Sequence, residues 1–363
     1  MGVFKALTCY TIAMRIGIDI SQIVYGTGVS IYTKELVRKL LEIDHENEYI
    51  LYGGSLRNQF LLRQFSLSLK GNFETKILPI SPTTADFIWN RIHRLKVEKL
   101  VGKVDVFHAS DWTQPPTRAF KVTTIHDLSP ILLPRLTPSK IVSVHGRRIY
   151  WVLKEADRII VPSNSIKSEL IKLGGNADKI RVIYEGISEE FKYTDRIYDI
   201  KDDYILTVGS GGRKNTEKLI EAFGKVRRKN LKLVIVGRLQ QKYMDRRGVI
   251  QTGYVKDQDL AALYSHAKAL VYPSLYEGFG LPIIQAFSCH CPVVTSNVGS
   301  MKEIADNAAV LVDPNDVNSI AEGIDEALRK PKEYIKKGIK RAKDFSWEKA
   351  AKETLEVYKE ATS

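Results

Sequence analysis

Short apolar runs alternate with longer amphipathic stretches along the first half of the chain. The runs predict strands at residues 15–19, 49–52, 104–108, 121–125 and 158–161. Between the first two runs, residues 31–41 carry apolar side chains at helical spacing. A strand followed by a helix and then by another strand is typical of a parallel sheet that helices cover on both faces. The pattern therefore predicts an α/β fold.

The same alternation restarts after a polar stretch at residues 192–203. Four further strands are predicted at residues 204–208, 233–236, 269–272 and 292–295. The sequence therefore predicts two Rossmann-like domains, over residues 14–195 and 196–345, with a cleft between them. Residues 346–363 are predicted to hold a last helix, which we expect to pack back toward the first domain.

Size and composition agree with two folded domains. The chain has 363 residues, of which 44% are hydrophobic and 27% charged, and one ordinary core does not extend over so long a chain. No apolar run is long enough to span a bilayer. Residues 1–13 read as an extension before the first strand rather than as a signal peptide. We therefore expect a cytoplasmic protein.

Charge and cysteine content narrow the choice of partners. A net charge of +13 favours nucleotide phosphates, anionic lipid headgroups or nucleic acid. The sequence has no nucleic-acid-binding motif, so nucleic acid is not expected. Cys9, Cys289 and Cys291 lack the second pair of ligands that a zinc site needs. We expect them to be reduced or buried.

The strongest candidate site is the loop after the predicted strand at residues 269–272. From Glu277 to Pro282 it reads Glu-Gly-Phe-Gly-Leu-Pro, and proline suits the first turn of a helix. Glycines let the backbone approach a ligand closely, and the free amides at a helix start favour an anion. Glu277 is placed to accept hydrogen bonds from sugar hydroxyls. The alternative is a glycine-rich turn that serves packing only.

A second candidate loop follows the predicted strand at residues 204–208. It begins with glycines around Ser210 and continues into Arg213 and Lys214. A guanidinium can bind a phosphate through two parallel hydrogen bonds, and an ammonium acts as a point charge. The alternative is a solvated basic loop.

The first domain offers weaker candidates. Gly26 and Gly28 follow the first strand but lack the third glycine of a dinucleotide fingerprint. His126 follows the strand at residues 121–125, which places it at the carboxyl edge of the sheet, and His108 is a similar but weaker candidate. A lone histidine is more often structural than functional.

Asp257-Gln258-Asp259 has the Asp-x-Asp spacing of metal-dependent transferases. An apolar run at helical spacing follows it, so helix capping explains the two acids better than metal binding. The sequence therefore predicts no catalytic metal and no other cofactor.

At these loops the chain resembles the retaining glycosyltransferases of family 4, which have the GT-B architecture of two facing Rossmann-like domains. The resemblance runs from Arg15 to the last helix, and it is most specific at Glu277, the first acid of the family's Glu-x7-Glu motif. It implies a catalytic group of His126, Glu277, Arg213 and Lys214. Arg213, Lys214 and Asn215 resemble the variant phosphate-binding loop of mannosyltransferase-like members. It implies donor contacts at Gly26, Gly28, Ser210, Gly253, Tyr254, Val255, Gly278, Phe279, Gly280, Leu281 and Gln285.

Two residues depart from the family pattern. Gln285 stands at the second acid of the motif, where a carboxylate typically bonds the donor ribose. His290 stands where the family has a glycine that ends a helix in the left-handed conformation, which histidine adopts only at some cost.

The resemblance implies a retaining, metal-independent transfer of a hexose from a nucleotide-diphosphate sugar to a glycan or a lipid-linked acceptor. Mannose from GDP-mannose is the first expectation, and a UDP-hexose donor is the alternative. Gln285 motivates a third hypothesis, in which the chain is a weakly active partner subunit that binds nucleotide sugar. An epimerase or hydrolase of the same architecture is a fourth.

Residues 87–96 combine apolar and basic side chains at helical spacing. Such a face can lie on an anionic membrane, so it predicts a peripheral membrane contact. The alternative is an ordinary helix that packs its apolar side on the sheet.

Overall fold

The computed structural model describes residues 13–238 and 246–362. Cys9 and nearly all of the predicted extension at residues 1–13 lie outside the described residues. The described strands are β1 Arg15–Asp19, β2 Glu48–Gly54, β3 Phe73–Leu78, β4 Val106–Ser110, β5 Phe120–Thr124, β6 Arg158–Val161, β7 Ile180–Val182, β8 Tyr204–Val208, β9 Lys232–Val236, β10 Val249–Gly253, β11 Ala269–Tyr272, β12 Val293–Ser296 and β13 Val310–Val312.

Helices connect most of these strands. They are α1 Gly28–Ile43, α2 Gln59–Leu67, α3 Pro82–Ala85, α4 Glu98–Val101, α5 Ser129–Leu132, α6 Ser139–Glu155, α7 Asn164–Lys172, α8 Thr216–Phe223, α9 Asp257–His266, α10 Leu281–Ser288, α11 Gly299–Ala305, α12 Val317–Arg329, α13 Pro331–Ala342 and α14 Trp347–Lys359. A π-helical segment, Asp86–Ile92, continues α3.

The strands form two parallel sheets, one in each domain. The first has the order β3-β2-β1-β4-β5-β6-β7 and the second the order β10-β9-β8-β11-β12-β13. The strand order reverses between β1 and β4 and again between β8 and β11. In such sheets ligands bind beyond the carboxyl ends of the strands, at this reversal. The predicted α/β fold of two Rossmann-like domains is confirmed.

Every predicted strand overlaps an observed one, but four observed strands contain no predicted run. These are β3, β7, β10 and β13, which lie at the four edges of the two sheets. Central strands are covered on both faces and therefore need continuous apolar runs. The edge strands β3 and β10 are mostly half-buried, and β7 and β13 are only three residues long. They therefore lack the signal on which the prediction depends.

The last helix, α14, packs on the first domain although it follows the second in sequence. Trp347, Ala351 and Tyr358 belong to the apolar core that α1 and β1 also contribute to. The hydroxyl of Tyr358 lies 2.6 Å from Nδ1 of His108, whose Nε2 lies 2.7 Å from a threonine hydroxyl on β5. Burial lowers the pKa of His108 to about 3. His108 is therefore a neutral structural residue, and its weak candidacy for function was wrong.

The turn after α10 contains His290, one of the two departures from the family pattern. His290 has a φ of 60°, the left-handed conformation that glycine adopts more easily. Its ring stacks on Tyr193 with centroids 5.2 Å apart, which helps to hold the conformation. Cys289 and Cys291 are free and buried, and burial raises the pKa of Cys289 to about 12.

Replacing Tyr358 with phenylalanine tests the attachment of α14. The ring stays in the core, but Nδ1 of His108 loses its partner, so we expect the free energy of unfolding to fall by about 1–3 kcal/mol. Urea unfolding followed by circular dichroism measures it. Lys352→Ala, at an exposed position of the same helix, is the control. Equal stability of the two variants would show that the hydroxyl contributes nothing.

Candidate active site

The cleft between the domains holds a cavity of about 370 Å³ beyond the carboxyl ends of both sheets. The loops after β1, β5, β8 and β11 contribute its walls. Ten of the predicted site residues line it, namely Gly28, His126, Arg213, Lys214, Glu277, Gly278, Phe279, Gly280, Leu281 and Gln285. The fold therefore brings the four residues of the predicted catalytic group into one space.

Glu277 is the centre of an ion-pair cluster in this cavity. One of its carboxylate oxygens accepts from Nη1 of Arg213 and the other from Nζ of Lys214, both at 2.8 Å. Burial alone would raise the pKa of Glu277, but Lys214 and Arg213 outweigh it and hold that pKa below its usual range. Lys214 also contacts the hydroxyl of Tyr272. Glu277 and the two cations thus form one ion-pair cluster. The sequence does not show this cluster, because its members lie in two separate loops.

Asn215 joins the two loops that carry this cluster. Its side-chain amide is buried and donates to the carbonyls of Pro273, at 3.1 Å, and Pro314, at 2.6 Å. The amide of Leu275 also donates to the carbonyl of Arg213 at 2.9 Å. These bonds keep the loop after β8 in register with the loop after β11, so Asn215 supports the site structurally.

The start of α10 lies at the cavity wall, where Gly280, Leu281 and Pro282 line it. Gly280 precedes the helix with a φ of 112°, a conformation that few other residues adopt. Pro282 lies in the first turn, as its position in the sequence predicts. The helix start and the two cations together make this end of the cavity suitable for an anion.

His126 lies on the opposite wall, contributed by the first domain. Its Nε2 is 2.9 Å from the hydroxyl of Ser110, and its Nδ1 is 3.8 Å from a carboxylate oxygen of Glu185. Its ring meets that of Tyr32 edge to face, with centroids 4.5 Å apart. The imidazole is therefore held on several sides at the cavity wall.

The two walls are in direct contact at Gly278. A β-carbon added there would lie only 1.8 Å from the carbonyl oxygen of His126 and 2.9 Å from the β-carbon of Asp127. The carbonyl of Gly278 also accepts a hydrogen bond from the hydroxyl of Ser163 at 2.8 Å. Only glycine fits at this point, because the backbones of the two domains are in direct contact.

Gln285, the departure in the motif, also lies on the cavity wall. Its side-chain oxygen accepts a hydrogen bond from the hydroxyl of Tyr264 at 3.3 Å, and the residue is largely buried. Tyr264 thus holds the side-chain oxygen of a residue that lines the cavity.

Five predicted donor contacts lie outside the cavity wall, and their role stays a prediction. Gly26 has a φ of 63° at the end of a short 3₁₀ turn. Ser210 donates from its hydroxyl to the carbonyl of Arg238. The carbonyl of Gly253 accepts from the amide of Gly237 at 2.9 Å. Tyr254 is 86% exposed, whereas Val255 packs in the core of the second domain.

Asp257 and Asp259 lie in the first turn of α9, but neither is the capping residue. Lys256 occupies that position, and no side chain caps the helix. Asp259 pairs with Arg196 at 2.6 Å, and Asp257 lines the cavity. The capping hypothesis was therefore wrong in detail, although carboxylates in a first turn are favoured by the helix dipole.

Residues 13–238 and 246–362 contain no cluster of side chains that could bind a metal ion. No three His, Cys, Asp or Glu side chains converge there as a metal site would require. The absence of a metal from the reaction stays a prediction.

The structure adds site residues that the sequence pattern did not single out. Tyr276 reaches across the cleft, where its hydroxyl donates to Glu169 at 2.6 Å and accepts from the amide of Leu128 at 3.2 Å. Glu185 lines the cavity beside His126. Tyr276 lies within the strongest candidate loop and could have been included for that reason. A single glutamate such as Glu185, in a connecting segment, carries no sequence signal.

The predicted helix over residues 87–96 is shorter than expected. The π-helical segment ends at Ile92, and His93 adopts a left-handed φ of 53°. Trp89 is buried, whereas Phe87 and Ile92 are exposed. The segment therefore combines the two alternatives, since it packs one aromatic inward and presents apolar side chains outward. Within the described part of the chain, no helix has the length and apolar character to cross a membrane.

Comparison with known proteins gives the same assignment for both domains. Residues 26–191 match the model of Glycosyltransferase Family 4, and residues 194–345 match that of Glycosyl transferases group 1. The chain is 29% identical to O-antigen chain mannosyltransferase B of Escherichia coli, over 92% of this chain and 96% of that protein.

Two further comparisons cover nearly the whole chain. An uncharacterized glycosyltransferase of Methanocaldococcus jannaschii is 30% identical over 92% of this chain and 94% of its own length. The structure of a sucrose-phosphate synthase from Thermosynechococcus elongatus superposes with a TM-score of 0.75 at 20% identity, over 96% of this chain and all of that chain. The similarity to the sucrose-phosphate synthase concerns the fold alone.

Gly278→Ala tests the contact between the two domains. The added β-carbon must push the His126 carbonyl away, so the bond from the amide of Leu128 to Tyr276 is expected to loosen. Hydrogen exchange at Leu128 should then become faster, while the cores of both domains keep their protection. Gly146→Ala is the control, because a β-carbon there meets nothing within 4 Å. Unchanged exchange at Leu128 would contradict the contact.

Proposed function

We propose that the chain, which belongs to glycosyltransferase family 4 and is a glycosyltransferase, transfers mannose from GDP-mannose to a glycan or lipid-linked acceptor. The observation that carries the proposal is the cluster of Glu277, Arg213 and Lys214 beside the start of α10. Mannose is favoured because an O-antigen mannosyltransferase is similar over nearly the whole chain. A UDP-hexose donor is the alternative.

The charges in the cavity suit a diphosphate that leaves the sugar. Two cations and one carboxylate leave the cluster with a net charge of +1, and the amides at the start of α10 add partial positive charge. Breaking the bond between sugar and phosphate builds negative charge on the diphosphate. Donors that are already in place stabilise that charge without reorganising. Arg213 and Lys214 would in this way supply what a metal supplies in other transferases.

The other groups of the cavity are proposed to hold the transferred sugar and the nucleoside. Glu277 accepts hydrogen bonds from the hydroxyls of the sugar and so orients it. The same carboxylate keeps Arg213 and Lys214 in place. His126 lines the reacting face from the first domain. We propose that the configuration at the anomeric carbon is retained, with the leaving phosphate oxygen taking the acceptor's proton.

Gln285 is proposed to bind the ribose in place of a carboxylate. Tyr264 fixes the amide oxygen, so the amide nitrogen would donate to a ribose hydroxyl. A neutral hydrogen bond is weaker than one to a carboxylate. We therefore propose that the donor binds with reduced strength and that turnover is preserved. The partner-subunit hypothesis predicts binding without turnover.

Calorimetric titration with GDP, UDP and ADP, with and without EDTA, tests the donor. GDP is expected to bind most tightly, and EDTA should leave its dissociation constant unchanged. Arg213→Ala should weaken GDP binding at least about tenfold, because a hydrogen bond to a charged group is lost. Arg228→Ala, at an exposed cation of the same domain, is the control. Preference for UDP would favour the UDP-hexose donor over GDP-mannose. Failure of all three nucleotides to bind would contradict the proposal.

A second proposal concerns an aromatic-basic surface of the first domain, defined by Phe87, Arg91, Ile92, Tyr150 and Lys154. The apolar side chains in this set are exposed. Lys154 lies 5.6 Å from the centre of the Tyr150 ring, so the cation and the aromatic share one face of α6. Exposed aromatics beside cations favour the headgroup region of an anionic bilayer. We propose that this surface contacts the membrane on which a lipid-linked acceptor lies.

Flotation with phosphatidylglycerol vesicles tests the membrane contact. The protein should float with these vesicles but not with neutral phosphatidylcholine vesicles, and Phe87→Ser with Ile92→Ser should abolish flotation. Leu67→Ser, at an exposed leucine of α2, is the control. Flotation that the double substitution leaves intact would exclude this surface.

A further inference from the structure

Glu185 occupies a fixed position where the chain passes from the first domain to the second. The neighbouring Tyr184 donates from its hydroxyl to Glu303 of α11 at 2.8 Å. On the other side, a β-carbon added at Gly186 would lie 2.2 Å from the amide nitrogen of Trp347. Contacts to the second domain and to α14 thus hold the backbone on both sides of Glu185, whose side chain lines the cavity.

The two carboxylates that face the cavity differ in their partners. Glu277 has Arg213 and Lys214 at 2.8 Å, whereas the one basic group that the described residues place within 4 Å of Glu185 is His126. Glu185 is nevertheless largely buried. A buried carboxylate without a close cation is unfavourable unless another interaction offsets the loss of water. Among the residues that the structure describes, the carboxylate of Glu185 is therefore free of a strong ion pair at the wall of the cavity.

His126 needs a partner at the position that Glu185 occupies. Its Nε2 already meets the hydroxyl of Ser110, and Tyr32 covers an edge of the ring. Nδ1 is buried and has no hydrogen-bond partner among the described residues. The distance of 3.8 Å from Nδ1 to Glu185 is an ion-pair distance and longer than a hydrogen bond.

We propose that Glu185 is the positioning residue of His126, which rests on the function proposed above. Glu185 accepts a hydrogen bond from Nδ1–H when the donor binds, and the distance shortens then, as hydrogen bonds of active sites often do in the substrate complex. Nε2 consequently carries no proton and accepts from Ser110. The imidazole is then held in one tautomer and one orientation against the transferred sugar, as carboxylates orient histidines in other enzymes.

A double-mutant cycle in the mannosyl transfer assay tests whether Glu185 acts through His126. Glu185→Ala should lower kcat about 10- to 100-fold and change the donor KM less than about threefold. Glu185→Gln should recover part of the loss, because its amide oxygen accepts the same bond. In a His126→Ala background, Glu185→Ala should cause no further loss. Full losses that multiply would overturn the proposal in favour of a direct contact between Glu185 and the sugar.

Nitrogen NMR of histidine-labelled protein gives a readout that does not depend on turnover. The chain has seven histidines, and His126→Ala identifies the signals of His126. With whichever nucleotide binds in the calorimetric titration present at saturation, wild-type protein should show the tautomer protonated at Nδ1, and Glu185→Ala should change the tautomer. Glu189→Ala is the control, since Glu189 lies in the same connecting segment but its side chain is 90% exposed.

These readouts separate the two proposals. If wild-type protein transfers no mannose while the tautomer still depends on Glu185, the proposed donor fails and the positioning role stands. If His126 keeps the same tautomer in Glu185→Ala, the positioning role is overturned whatever the donor is. Melting temperatures of all variants near that of wild type show that the folds are comparable.

Discussion

The close approach of two backbones at Gly278 is the constraint on which the site depends. The carbonyl of His126 occupies the space that a side chain on residue 278 would need. This contact places the loop after β5 directly against the loop after β11, so His126 and Glu277 face the same cavity. The hydrogen bonds from Ser163 to Gly278 and between Tyr276 and Leu128 hold the contact in register. These contacts place the two loops of the site against each other.

Charge is distributed unevenly within this cavity. The second domain contributes a carboxylate whose two cations are in direct contact with it, and the helix start beside them adds to the positive potential. The first domain and the connecting segment contribute a histidine and a carboxylate that are less tightly paired. An anionic leaving group suits the first arrangement, and a sugar that develops positive charge suits the second. The cavity therefore has a positive side that suits the leaving diphosphate and a less positive side that suits the sugar.

The sequence alone determined the architecture and the loops that form the site. Central strands of parallel sheets are buried on both faces, so β8 and β11 appear as nearly continuous apolar runs, and the loops after them can be located in the sequence. Glycines and proline from Gly278 to Pro282 follow local backbone requirements, which act over a few residues. The edge strands were missed because β3 and β10 are mostly half-buried and need no continuous apolar run, and because β7 and β13 are only three residues long.

Only the tertiary structure decided which side chains share the cavity. The predicted strands place both His108 and His126 at a carboxyl end, but in the structure His108 lies within β4, where Tyr358, 250 residues away, contacts it. Glu185 and Tyr276 gained their positions from contacts with the other domain. The capping hypothesis for Asp257 was wrong because α9 already begins at Asp257, so that Lys256 holds the capping position. Local patterns record what a residue needs from its neighbours in sequence, whereas these assignments depend on distant segments that meet only when the two domains pack together.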